Sequence, residues 1–227
     1  MQNYTSALSL TRKSCFILLI AAGVLCSCKQ NDKPEDYQPK KSALTANNDG
    51  VKIFMKVFGR EYSEDSLATA VNLYKKALKE DPGYRLAFRN LLDCYNYMNR
   101  YNESVALCSA WLKKNPNDVD AQYQRAMLYD MLGKSELAQP GYKAVSDEIE
   151  NQKLPKIDST LTRLQIEEIL NNAGVLYIAT HDNTKALDVL SELKATFPDN
   201  TLIESVYNRT LKNDRLKRVK ELLHYKG

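Results

Sequence analysis

Only two histidines occur in the chain, His181 and His224, and they lie 43 residues apart in unlike contexts. Neither has a metal-ligand neighbour at the expected spacing, and no HExxH, glycine-rich phosphate loop or GxSxG is present. The pairs Glu167-Glu168 and Asp147-Glu148 read as solvated helix faces rather than catalytic carboxylates. His181, in ATHDN, reads as a solvated turn residue. The sequence thus argues against an enzyme and implies no cofactor or metal. Glycine and proline are scarce, 8 and 7 in 227 residues, which fits a helical chain with short turns. Charge is nearly balanced as well. The formal +4 drops by two once Arg12 and Lys13 leave with a leader, and no basic run is interleaved with aromatics. Nucleic acid is therefore not an expected partner.

What is abundant is periodic. Pro82 in EDPGY and Pro116 in NPNDV lie 34 residues apart, and Pro198 in FPDN closes a similar segment. Between the first two, Phe88, Leu91, Leu92 and Tyr95 recur every three or four residues, as on a helix with one buried face. After Asn99-Arg100, the residues Tyr101, Ser104, Cys108 and Trp111 do the same. The stretch 85–118 therefore predicts two antiparallel helices.

These large, small and aromatic positions with a closing proline resemble the tetratricopeptide repeat. Four copies follow at 51–84, 85–118, 119–152 and 167–200, with an insertion at 153–166. The third copy carries Ala126, Tyr129, Gly133, Ala138, Tyr142 and Val145, and the fourth Leu170, Ala173, Gly174, Tyr177, Ala186, Leu190, Leu193 and Pro198. Departures exist: Phe58 and Leu92 stand where the family prefers a small residue, and the third copy lacks its closing proline. The resemblance implies an all-α fold, a right-handed superhelical solenoid of antiparallel helix pairs with a capping helix at 201–227. In the first copy the second helix is expected near Glu64–Lys79. Pro140 is expected to kink a helix in the third copy rather than break it. Asp158-Ser159-Thr160 offers an N-cap to a helix over 159–180.

The family also implies binding of a protein or peptide on the concave face lined by first helices. Carried over place by place, that face holds Leu86, Arg89, Asp93, Asn96 and Tyr97 in the second copy. In the third it holds Asp120, Tyr123, Met127, Asp130 and Met131. The clamp for a C-terminal carboxylate found in some members is not matched. Asn90 fits, but Met55 and Gly59 stand where lysine and asparagine are wanted, and Asp120 and Gln124 replace two basic residues.

Residues 1–27 read as an export signal, with Arg12 and Lys13 ahead of the apolar run CFILLIAAGVLC. Leu25-Cys26-Ser27-Cys28 resembles the lipobox of bacterial lipoproteins, which places acyl chains on Cys28. The alternatives are a plain signal peptide or an N-terminal anchor helix. Residues 28–50 are charged and poor in apolar side chains, and read as a flexible tether. By the same resemblance, Lys29 in place of aspartate points to the outer membrane. Cys94 and Cys108 are either two buried small hydrophobes or, in an oxidising periplasm, a cross-link within the second copy. The function implied is a membrane-anchored scaffold that docks another envelope protein; the rival is capture of glycan or cell-wall fragments.

Overall fold

The computed structural model describes residues 37–59, 64–152 and 154–224, and among them every regular element is helical. The leader and Cys28 lie outside the described residues. The helices are α1 (Lys41–Gly59), α2 (Glu64–Glu80), α3 (Arg85–Tyr97), α4 (Tyr101–Leu112) and α5 (Val119–Met131). Then follow α6 (Ser135–Asn151), α7 (Arg163–Thr180), α8 (Thr184–Thr196), α9 (Thr201–Leu211) and α10 (Arg215–Leu222). No described helix is long and apolar enough to cross a membrane. The described chain forms two compact units, one of residues 37–141 with 219–224, the other of residues 142–218.

In the first unit α1 to α5 pack in chain order, each against the next, and α1 also touches α3. Ala70, Val71, Tyr74, Leu91, Cys94 and Tyr95 form its centre, with Val51, Ile53, Phe54 and Leu107 packed around them. A second cluster is made of small residues, Ala43, Ala46, Ala77 and Ala87, beneath Tyr84. Small side chains let α1 and α2 approach closely. Gly50 shows how closely, since a Cβ there would stand 2.7 Å from the Tyr74 ring.

That contact corrects the expected start of the first copy. The helix does not open at Val51 but at Lys41, inside the stretch read as a tether. The approach to α1 is also anchored. Tyr37 Oη and the Lys40 N–H donate to Asp81 Oδ2 at 2.9 and 3.1 Å, and the Gly83 N–H donates to Oδ1 at 3.2 Å. Burial alone would raise the Asp81 carboxyl, but these donors overcome it and hold the group below its ordinary value.

The 34-residue period is visible in the backbone bonds themselves. Arg100 N–H donates to the Tyr95 carbonyl at 2.8 Å, and Lys134 N–H to that of Tyr129 at 2.8 Å. Between helix pairs, the N–H groups of Tyr84, Asp118 and Asn200 donate to the carbonyls of Asp81, Asn115 and Phe197, each at 3.1 Å. The turns inside the α3/α4, α5/α6 and α7/α8 pairs pass through a left-handed residue at the same place: Asn99 (φ 57°), Gly133 (φ 69°) and His181 (φ 59°). That conformation ends a helix cleanly, and glycine and asparagine adopt it most easily.

In the second unit α7, α8 and α9 pack on one another. α7 is buried over much of its circumference, through Ile166, Ile169, Leu170, Ala173, Leu176, Tyr177 and Ile178. It begins at Arg163, four residues later than expected. Thr162 caps it in a reciprocal box with Gln165, while Asp158 is used in a turn with Thr160. α6 runs through Pro140 without interruption. The single helix expected within 201–227 is two over the described residues, broken at Asn213 (φ 51°). Within this unit Arg215 donates to the Ile178 carbonyl at 3.3 Å and lies 5.7 Å from the centre of the Tyr142 ring.

Candidate partner-binding face

α3 buries one side completely, through Ala87, Phe88, Leu91, Leu92, Cys94 and Tyr95. The opposite side carries Leu86, Arg89, Asp93 and Tyr97, spaced three or four apart and therefore in one stripe. Leu86 is 50% exposed, Asp93 is open and Arg89 and Tyr97 are half-buried. Asn96, expected in the same stripe, is instead 2% exposed and turned inward, where the Ser104 hydroxyl donates to its Oδ1 at 2.7 Å. It holds α3 to α4 rather than facing a partner.

The stripe continues onto α1. Asn90 donates to Asn47 Oδ1 at 2.8 Å, and Phe54 meets Tyr97 edge-on with ring centres 5.9 Å apart. On α5 the expectation holds less well. Tyr123, Met127 and Asp130 are buried, Met131 is half-buried, and Asp120 is held by Arg85. Arg85 also reaches Asp118 at 3.0 Å, which accepts the Trp111 indole N–H at 2.7 Å and caps α5 through the Ala121 N–H at 3.1 Å. Sequence reasoning missed this cluster, whose trace is the Asp-x-Asp pair, Asp118 and Asp120, that straddles the boundary between the second and third copies.

Although the side chain is open to solvent, the protein packed around Asp93 disfavours the charged form and pushes the carboxyl up to about 6, against the opposing pull of Arg89, and Tyr74 and Cys94 are its other titratable neighbours. An unfolded aspartate titrates near ~3.9, so between those values the native chain binds more protons than the unfolded one. Stability from this group is therefore present at low pH and lost as pH rises from about 4 to 6. Asp93→Asn should flatten the fall in melting temperature over that window. Superimposable wild-type and variant profiles would show that solvent keeps Asp93 at its ordinary acidity.

Cys94 and Cys108 are both free and buried. Burial pushes each thiol up to about 12, so neither is a thiolate at neutral pH. Among the described residues no three His, Cys, Asp or Glu side chains are grouped to hold a metal ion. On the other side of the helix pairs, an open apolar hollow of ≈ 440 Å³ lies between α2 and α4, floored by Leu78, Leu91 and Leu107 and edged by Lys75, Lys79 and Glu103.

Residues 62–132 match the tetratricopeptide repeat. The matched stretch runs through α2, α3, α4 and α5, the helices that build the stripe and the Arg85 cluster. Among solved structures, that of a thermophilic TPR protein in Thermus thermophilus is similar, with a TM-score of 0.48 at 16% identity, over 79% of this chain and 87% of that one. No curated protein matches the chain in sequence.

Proposed function

We propose that this chain is a non-catalytic scaffold, held to the outer membrane by lipid on Cys28, that binds another envelope protein or peptide on the first-helix face of its repeats. The carrying observation is the α3 stripe: a half-exposed leucine, an arginine, an open carboxylate and a tyrosine remain at the surface of a helix whose other side is packed. Arginine and tyrosine are favoured anchors of protein interfaces. Covering a leucine of this kind contributes about 1.5–3 kcal/mol at full burial, roughly half of that here. The anchoring half of the proposal rests on the register of Arg12, Lys13, the apolar run and the box ending at Cys28.

A photo-crosslinking residue at Leu86, in cells of the source organism, tests the face. A second at Leu164, 77% exposed on α7, provides the comparison. A discrete protein adduct from position 86, lost on Arg89→Glu with melting unchanged, is the expected result. An adduct from position 164 alone would move the interface to α7. Cys28→Ala should abolish acylation and release the protein from membranes; normal fractionation at mature mass would remove the anchor from the proposal.

A further inference from the structure

α10 is only eight residues long, and a helix of that length is marginal in water by itself. Its order therefore has to come from what it packs on. Val219 and Leu223, four residues apart and so on one side of the segment, are each 0% exposed. From Val219 onward the segment belongs to the first unit, with α1 to α5. His224 follows at once, in the left-handed conformation (φ 57°), its ring centre 6.5 Å from that of Tyr97. Tyr97, on the α3 stripe, thus has two further rings beside it, Phe54 and His224.

We infer that the face around Tyr97 recognises a short amphipathic helix bearing two aliphatic side chains four residues apart, followed by a planar ring. Residues 219–224 are its occupant within the chain, and a partner helix of the same pattern binds by displacing them. The inference rests on the proposed partner face, but it needs no partner to be tested. A tethered occupant acts at an effective concentration that reaches roughly millimolar for short flexible links, so it weakens any competitor that presents the same groups. Release of 219–224 should therefore open the face without altering it.

The probe is a labelled peptide of residues 214–227, added to the full chain. The Val219→Asp, Leu223→Asp double variant should bind it at least tenfold more tightly than wild type does. Tyr97→Ala in that background should reverse the gain, and a peptide carrying both aspartates should not bind. Hydrogen exchange gives a second readout that does not depend on the double variant folding. In full-length Tyr97→Ala, the amides of 219–224 should exchange at least tenfold faster while those of Ala70–Tyr74 stay protected. Unchanged exchange at 219–224 overturns the inference, as does equal or absent peptide binding by a folded double variant. Tenfold effects here without any adduct from position 86 would remove the partner reading and leave the self-docked segment standing.

Discussion

Trp111→Ala should lower the unfolding free energy by about 3–5 kcal/mol, the range for emptying a large buried side chain. The ring is 5% exposed and stacks on Phe88 with centres 4.5 Å apart and planes 16° from parallel. It thereby joins α4 to α3. Its N–H also donates to Asp118, the residue that caps α5 and pairs with Arg85, so the substitution reaches the following repeat too. In a chain of this size each kcal/mol shifts the melting temperature by about 2–4 °C, giving a drop on the order of 10 °C. Trp111→Phe separates the two contributions. It keeps a stacked ring and loses one hydrogen bond to a charged group, for about 1.5–3 kcal/mol. A melting curve for Trp111→Ala that overlays wild type would mean that neither the stack nor the Asp118 bond bears on stability.

Gly141→Ala should destabilise the chain by about 2–3 kcal/mol, although alanine is normally the better helix residue by up to ~1 kcal/mol. Gly141 lies within α6, and a Cβ there would stand 2.4 Å from the Gln122 carbonyl oxygen and 3.0 Å from Ala126 Cβ. The nearest atom is backbone, which no rotamer change can move aside, so α5 and α6 would have to separate. Gly174, inside α7, is the matched comparison, because a Cβ there meets nothing within 4 Å. Gly174→Ala should therefore stabilise by up to ~1 kcal/mol. Chemical denaturation of both variants reads the sign directly. A gain at Gly141 would show that the two helices are not in backbone contact.

Much of the candidate face is legible in the sequence. Leu86, Arg89, Asp93 and Tyr97 follow from the helical period once Phe88, Leu91, Leu92 and Tyr95 are placed inside. The remainder is hidden for identifiable reasons. Asn96 looks like a surface residue, and only Ser104, eight positions on, makes it an internal bond. Tyr123, Met127 and Asp130 hold the periodic places of an open face, yet all three are buried. The opening of α1 is masked because Ala43 and Ala46 carry little hydrophobic signal, although both are buried against Tyr84 and its neighbours.

By itself, then, the sequence determined the helices of the second and third copies, their 34-residue spacing, the buried side of α3 and the turns within those copies. These depend on local conformational preference and on a period of 3.6 residues, both written within a dozen positions of chain. Only the tertiary structure decided where α1 begins, that Gly141 is a point of backbone contact, and that residues 219–224 join the unit containing Tyr97. Each of those depends on what stands opposite a residue, between about 15 and 130 positions away in the chain. A pattern can say that a side is apolar, but the partner that covers it is chosen by packing.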